Sequence, residues 1–292
     1  MMKARDILAV FCMSMSATAA ASDPWHPAAG SASPVTSIVS APQVGPKTMV
    51  TVDYSDLWWN SGESGWGMQV NQSDTFMFVT LFIYGSDGSA RFLTAQLTYQ
   101  GDSRFLGPLY VTTGDSYATV PFDPTHTTVT EAGTMAIDFQ TDKTAMMVYT
   151  FAGIQVTKNI ERQSLLLEPI SGNYVGVANV QTTGCTNPAS NVAATMNMTA
   201  NVTQGGSSAS VAFALTNGAS MQSCTLTGNY AEAGRLGEID GTYTCTGGET
   251  GTMNFVEMTN RIAFLTGRIS GQSSNAGCAY AGRFTLMIPG VY

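Results

Sequence analysis

Histidine is almost missing from this sequence, and its scarcity excludes most catalytic and metal-binding arrangements. The 292 residues contain two histidines, His26 and His126, so a serine or cysteine nucleophile has almost no candidate base. The patterns G-x-S-x-G and H-E-x-x-H are absent, as are calcium-binding and phosphate-binding loops. The sequence therefore predicts no metal and no cofactor, and it favours a binding protein over an enzyme.

Positive charge is the second shortage. Twelve lysines and arginines face 20 aspartates and glutamates, which gives a formal net charge of −8. A surface of this sign repels phosphate groups. We therefore expect neither nucleic acid nor an anionic membrane as a partner.

The sequence also lacks an apolar run long enough to cross a bilayer as a helix. The run at residues 7–15 is short, follows a basic start and precedes a cluster of alanines, which together are typical of a signal peptide. We assign residues 1–21 to that peptide and the Pro/Ala/Ser-rich residues 22–48 to a flexible leader. The mature protein is expected to be exported, to the periplasm or the medium, without an integral membrane segment.

Cysteine is missing from residues 49–163. Apart from one in the signal peptide, the cysteines are Cys185, Cys224, Cys245 and Cys278. An even number in an exported protein indicates two disulfides, and the spacings fit no zinc site. Of the three possible pairings we favour Cys224–Cys245, joining neighbouring strands, with Cys185–Cys278, joining the first and last parts of this half.

Helical periodicity of useful length is absent too, and the alternation typical of strands takes its place. In residues 194–203, Ala, Met and Val alternate with Thr and Asn, and turn signals such as Asp87-Gly88 separate the segments. Seven or eight short strands fit each of two regions, residues 49–163 and 171–292, with residues 164–170 as the joint. We predict an all-β protein of two small antiparallel domains, each an up-and-down barrel or a sandwich.

One predicted strand differs from the others. Residues 75–84, TFMFVTLFIY, are apolar on both faces, which is typical of a central strand or of one covered on both sides. Seventeen of the 28 aromatic residues fall between Tyr54 and Phe151. We therefore expect the first domain to have an aromatic-dense core.

The strongest candidate site is the segment DLWWNSGESGWGMQV, residues 56–70. Adjacent tryptophans in an extended chain point to opposite faces, so at least one is expected at a rim, where an indole can stack on a sugar or on a partner side chain. The candidate ligand would be a carbohydrate, a small apolar molecule or an envelope component. The candidate ligand-binding residues are Trp58, Trp59, Asn60, Glu63 and Trp66.

A structural role is the alternative for this segment. Tryptophan is usually mostly buried in folded proteins. On this interpretation Trp66 plugs one end of a barrel, and one of the adjacent tryptophans packs beneath it.

The same segment resembles a module found in secreted proteobacterial proteins. The resemblance rests on the pattern D-x-W-W-N-x-x-E-S-G-W-G, the apolar strand that follows and the turn at residues 84–88, and it covers about residues 52–163. Ser61 stands where that group commonly has a proline, which changes the stiffness of the turn. The resemblance implies export and a β fold, and it supplies no reaction.

Glu63 and His126 are the remaining candidates for chemistry. A glycosidase needs two carboxylates, and Glu63 could supply one of them. We favour instead a turn carboxylate that bonds to backbone amides or to an arginine such as Arg91. His126 with Asp123 is interpreted as a turn pair rather than a catalytic dyad.

An alternative function uses the second domain. A disulfide-stapled charged loop is one way in which small exported inhibitors contact an enzyme, although a solvated hairpin tip is the simpler interpretation. The alternative is a secreted enzyme inhibitor or protein-interaction factor whose partner is an envelope or secreted protein. The charged residues are Glu232, Arg235, Glu238 and Asp240.

Overall fold

The computed structural model describes residue 50 and residues 52–290. The predicted signal peptide (residues 1–21) and leader (residues 22–48) lie outside the described residues. Within the described part of the chain, no helix has the length and apolar composition needed to cross a membrane.

The described chain forms two closed barrels of eight antiparallel strands each. Strands that follow one another in sequence are neighbours, and the first and last strands of each barrel lie side by side. The predicted fold class is therefore confirmed, and both domains are barrels rather than sandwiches.

The first barrel has a filled interior. Inward-facing side chains alternate with outward-facing ones along each strand, and Met77, Val79 and Leu81 are 0 % exposed. A 3-10 helix, Pro124–His126, lies in the connection between the fifth and sixth strands. The strands are β1 Asp56–Trp59, β2 Gly67–Ser73, β3 Phe76–Tyr84, β4 Ala90–Gly101, β5 Arg104–Thr113, β6 Thr128–Phe139, β7 Thr144–Phe151 and β8 Ile154–Arg162.

Strand β3 departs from one sequence-based expectation. It is central in the sense that it pairs with both β2 and β4. Its outward face is not covered within the described residues, because Phe76 is 39 % exposed and Phe82 is 50 % exposed. Apolar residues on both faces therefore place one set in the core and the other on the surface.

The second barrel shows the alternation more regularly. Along its second strand, Met198 and Ala200 are buried, whereas Thr199 and Asn201 are exposed. A second 3-10 helix, Pro188–Ser190, precedes that strand. The strands are β9 Gly172–Thr183, β10 Ala193–Gly205, β11 Ser208–Asn217, β12 Ser220–Ala233, β13 Leu236–Cys245, β14 Thr250–Arg261, β15 Phe264–Ser273 and β16 Ala279–Met287.

Two disulfides lie at one end of the second barrel. Cys185 follows β9 and bonds to Cys278, which precedes β16. Cys224 of β12 bonds to Cys245, the last residue of β13, and the two are partners in the strand register. This is the pairing that the sequence favoured: Cys224–Cys245 joins neighbouring strands, and Cys185–Cys278 joins the first and last parts of this half.

By compactness, the described residues divide into two units. One contains residues 52–55 and 62–159, and the other contains residues 56–61 and 160–290. The domain boundary predicted at residues 164–170 remains a prediction.

Candidate functional site

Three side chains meet at the end of the first barrel where β2 and β8 begin. Glu63 belongs to the turn before β2, Trp66 immediately precedes β2, and Lys158 lies on β8. Oε2 of Glu63 accepts hydrogen bonds from Nε1 of Trp66 at 3.0 Å and from Nζ of Lys158 at 2.7 Å. Nζ of Lys158 also lies 5.7 Å from the centre of the Trp66 ring, a cation–π distance. We call these three residues the Trp66 cluster.

The contacts of Glu63 correct one expectation. Its partners are Lys158 and Trp66, whereas Arg91 bonds to Asp87, with 3.2 Å between Nη2 and Oδ2. The hydrogen bond from Lys158, followed by that from Trp66, lowers the pKa of Glu63 below its ordinary value. A general acid at neutral pH needs a raised pKa, so Glu63 fits a carboxylate that stays ionised and orients its neighbours.

Trp58 is a core residue. It is 0 % exposed, and Cζ of Arg162 lies 5.0 Å from its ring centre. Nη1 of Arg162 donates to Oδ2 of Asp56 at 2.7 Å, and the Arg162 side chain is itself fully buried. The indole of Trp58 is therefore covered by a paired cation and is closed to a ligand in this conformation.

The remaining two candidate residues lie beside Trp58 in sequence. Trp59 is half-buried and Asn60 is half-buried, and Trp59 points away from Trp58 as the strand alternation requires. Lys158 and Arg162 are four residues apart on β8, which corresponds to about 13 Å along the strand. The structure thus brings Glu63 and Trp66 together and places Trp58 at a separate position under Arg162.

Next to the Trp66 cluster, three exposed aromatic side chains lie on the outer wall of the barrel. Phe82 is 50 % exposed, Tyr84 is 58 % exposed and Phe92 is 52 % exposed. Phe82 lies opposite Phe92 in the strand register and beside Gly67, which has no side chain to cover it. We call Trp66, Phe82, Tyr84 and Phe92 the aromatic rim.

A glycine links this wall to the Trp66 cluster. Gly65 has a φ of 120°, which other residues rarely adopt. A Cβ at this position would lie 3.7 Å from Cε2 of Tyr84, so the Gly65 backbone packs against the tyrosine ring. The turn that carries Glu63 and Trp66 therefore rests on the aromatic rim.

Sequence reasoning missed the wall residues of the rim, although a signal was present. The run TFMFVTLFIY was interpreted as a central or covered strand because both of its faces are apolar. The same pattern arises when the outward face is an exposed aromatic surface, and large exposed apolar patches commonly mark binding sites. Periodicity alone does not separate the two cases.

A charged turn flanks the rim between β3 and β4. Asp87 accepts hydrogen bonds from the backbone and the hydroxyl of Ser89, which lower the pKa of its carboxyl. A Cβ at Gly85 would lie 2.3 Å from Nε of Arg91, so the guanidinium lies directly over the glycine. Ionised hydrogen-bonding groups thus stand beside the exposed rings.

His126 has two carboxylate neighbours. Its Nδ1 lies 2.8 Å from Oδ1 of Asp115, and its Nε2 lies 3.7 Å from Oδ2 of Asp123. The hydrogen bond with Asp115, then the charges of both aspartates, raise the pKa of the imidazole. Asp123 caps the 3-10 helix through Thr125, as expected for a turn residue. Within the described residues, no group of three His, Cys, Asp or Glu side chains is arranged to hold a metal.

In the second barrel, a partly buried hydrogen-bond network lies at the disulfide-bearing end. Glu249 accepts hydrogen bonds from Tyr243 at 3.0 Å, from Tyr280, and from Gln222 at 3.1 Å. Burial raises the pKa of Glu249, but the bonds from Tyr280, Tyr243, Gln222 and Ser273 together lower it below its ordinary value. The polar groups of this network bond to one another, and this favours a structural role at the end of the barrel over ligand binding.

Part of the charged segment at residues 231–240 is engaged within the fold, whereas Asp240 is exposed. Leu236 is buried, and Oε1 of Glu232 accepts from the Tyr230 hydroxyl and from the Glu168 backbone, the latter at 2.7 Å. Burial first, and then the bond to Glu232, raises the pKa of Tyr230. The interpretation as a solvated hairpin tip is therefore wrong for Glu232.

Two solved structures are distantly similar to the chain. No protein-family model matches it, and no curated protein matches it. A variant of transferrin binding protein B (TbpB) from Haemophilus parasuis is 10 % identical, with 76 % of this chain and 52 % of that chain covered and a TM-score of 0.26. A protein of unknown function of the DUF3598 family from Nostoc punctiforme is 10 % identical, with 80 % and 93 % covered and a TM-score of 0.24. The chain spans about half of the length of the TbpB structure, and scores this low assign no family and no function.

Proposed function

We propose that the protein is an exported binding protein that recognises a carbohydrate through the aromatic rim of its first barrel. The observation that carries this proposal is the set of half-exposed rings, Phe82, Tyr84 and Phe92, beside the charged pair of Asp87 and Arg91 at the turn between β3 and β4. A flat ring offers an apolar face to the C–H groups of a sugar, and neighbouring polar groups bond to its hydroxyls. The disulfides support export.

A small apolar ligand is less well supported. Inward-facing side chains pack the interior of the first barrel, and Met77, Val79 and Leu81 of β3 are 0 % exposed. An apolar molecule would have to displace these packed side chains, which costs free energy. Recognition on the outer surface needs no such displacement.

We also propose that residues 52–163 belong to the secreted proteobacterial group that they resemble, a membership that would support export and a β fold but name no ligand. The residues that carry the motif include Glu63 and Trp66, which lie in the cluster, and Trp58, which lies in the core. In that group, the motif would then contribute Trp58 to the core and Trp66 to the aromatic rim.

Substitution of the rim tests the proposal. Binding of the full chain to a panel of oligosaccharides (cellohexaose, chitohexaose, mannohexaose and a heparin hexasaccharide) is measured by calorimetric titration. We expect Tyr84→Ala to weaken binding of at least one of them tenfold or more, because it removes a stacking surface.

The matched control is Phe264→Ala, which removes an aromatic ring of similar exposure, 47 %, from the second barrel. It should leave that affinity within about twofold, the range expected for a position away from the site. If no oligosaccharide of the panel binds, or if the two variants weaken binding equally, the rim is not a carbohydrate site.

A protein-interaction factor acting through the second barrel remains the second candidate. The two disulfides favour it, since small exported inhibitors are commonly cross-linked. The engagement of Glu232 with Tyr230 and Glu168 weakens it. The test is whether the full chain captures a secreted protein. Capture that reductant abolishes and Tyr84→Ala leaves unchanged would favour this candidate over carbohydrate binding.

A further inference from the structure

The outer surface of the second barrel contains a trough with a volume of about 500 Å³. It crosses the strands β9 to β13 and lies within this barrel alone. Volumes of roughly 300–1,000 Å³ are typical of small-molecule sites. Its hydrogen-bonding side chains include Asn173, Thr199, Asn201, Ser223, Thr225 and Thr244.

The trough owes its depth to small residues on β11. Ala212 and Ala214 face outward there and form the floor. In the register, Ala212 lies between Asn201 of β10 and Thr225 of β12. Ala214 lies in the same way between Thr199 and Ser223. Methyl groups in the middle and longer polar side chains on both sides make a channel along the strand.

Two amides on one wall bond to each other. Nδ2 of Asn201 donates to Oδ1 of Asn173 at 2.6 Å, across the paired strands β10 and β9. This bond uses neither the amide hydrogens of Asn173 nor the side-chain carbonyl oxygen of Asn201, so these groups can bond to a ligand. One donor and one acceptor are therefore positioned side by side on this wall.

The lining has no charge. None of its 14 residues is Asp, Glu, Lys, Arg or His, in a protein whose formal net charge is −8. A charged ligand would lose hydration there without gaining a counter-charge, and a wholly apolar ligand would leave hydroxyls unpaired. Hydroxyl and amide groups both donate and accept, and they match a neutral molecule that is rich in hydroxyls.

We propose that this trough binds a neutral oligosaccharide, at a site that is separate from the aromatic rim and does not depend on it. The alanine floor accommodates the sugar rings, and the Asn and Thr walls bond to their hydroxyl groups. The expected affinity is independent of ionic strength, because no ion pair contributes.

The test blocks the trough without touching the barrel core. Binding of the full chain to cellohexaose, chitohexaose and mannohexaose is measured in low and high salt, with polygalacturonate as the charged probe and Nile red as the apolar probe. Ala212→Phe places a ring on the floor and should weaken binding of a neutral hexasaccharide at least tenfold. The folding of each variant is checked by its circular dichroism and melting temperature.

The matched control is Ala281→Phe, which changes another exposed alanine, on β16 and outside the trough, and it should change that affinity less than twofold. The rim variant Tyr84→Ala should also leave it unchanged, so failure of either site is seen separately. The proposal is overturned if no neutral hexasaccharide binds. It is also overturned if polygalacturonate or Nile red is the ligand that Ala212→Phe displaces, or if both alanine variants behave alike.

Discussion

At the scale of single residues, two tryptophans of the first barrel each lie against a cation, and burial separates their roles. Trp58 and Arg162 are both buried, and the partner Asp56 is 9 % exposed in its side chain. Trp66 is half-buried, and the carboxylate that holds Lys158 beside it is 43 % exposed in its side chain. The first contact therefore stabilises the fold, whereas the second can rearrange around a ligand.

Arg162→Met is expected to lower the free energy of unfolding by about 3–5 kcal/mol. The substitution removes the Nη1 donor, now at 2.7 Å, from a carboxylate that is 9 % exposed, and breaking a buried ion pair by removing one partner costs that much. Denaturation of the full chain in urea measures the change.

The control is Arg104→Met. Nη1 of Arg104 lies 3.3 Å from Oδ1 of Asp138, with both side chains well exposed, at 49 % and 30 %. Exposed pairs contribute less than about 1 kcal/mol. Equal losses in the two variants would show that burial of the Asp56–Arg162 pair has no energetic consequence.

The fluorescence of Trp66 should change only in acid. The folded-state pKa of Glu63 lies below its ordinary value of 4.5, so its bonds to Lys158 and Trp66 persist as the pH falls to that value and are lost only below it. The measurement is an emission titration of the wild-type chain, corrected with Trp66→Phe. Glu63→Gln should show no such step, and a step at or above pH 4.5 would contradict the assignment.

At the scale of elements, the sequence predicts strands better than it predicts what covers them. The alternation of residues 194–203 places Met198 and Thr199 on opposite faces, as the structure has them. The four-residue strand β1 is too short for a periodic signal, and β3 is apolar on both its covered and its uncovered face. Periodicity reports which residues share a face, and only the closed sheet decides which face meets solvent.

The candidate site shows the same limit. Glu63 and Trp66 are close in sequence, and both could be identified from their local pattern. Lys158 is 95 residues away from Glu63, and nothing in its own neighbourhood marks it as the partner. The rim depends on strand pairing, since it joins residues of two strands, β3 and β4, to the turn before β2.

The two disulfides should contribute unequally to the stability of the second barrel. Cys185–Cys278 closes a loop with a sequence separation of 93, and Cys224–Cys245 closes one of 21. Restricting the unfolded chain then gives about 4.7 and about 3.3 kcal/mol. We expect Cys185→Ala with Cys278→Ala to lower the urea midpoint more than Cys224→Ala with Cys245→Ala does. The reverse order would mean that strand pairing in the folded state, rather than loop length, sets their effect.

At the scale of the whole molecule, the two barrels differ in what stabilises them. The described part of the first barrel has no cysteine, and its core includes the stacked rings of Tyr54 and Phe139, with 3.7 Å between their centres. The second has two disulfides and an aromatic group around Phe255. A reducing agent therefore acts on one barrel alone.

Calorimetry should show two transitions, of which only one moves when reductant is added. The moving transition belongs to the second barrel, because loss of both disulfides removes several kcal/mol from a domain of ordinary stability. A single transition that shifts as a whole would mean that the two barrels unfold together. Residues 164–170 would then not separate two independently unfolding domains.

The position of Cys185–Cys278 also determines how the second barrel responds to force. The chain enters at the start of β9 and leaves at the end of β16, and these strands pair from Val175 and Met287 to Thr183 and Ala279. Tension on the two ends would break the hydrogen bonds between these strands in sequence. Separation would stop at the disulfide just beyond Thr183. The bond keeps a loop with a separation of 93 from extending, about 320 Å of contour length. An oxidised barrel pulled in this way would lengthen only slightly and then become stiff.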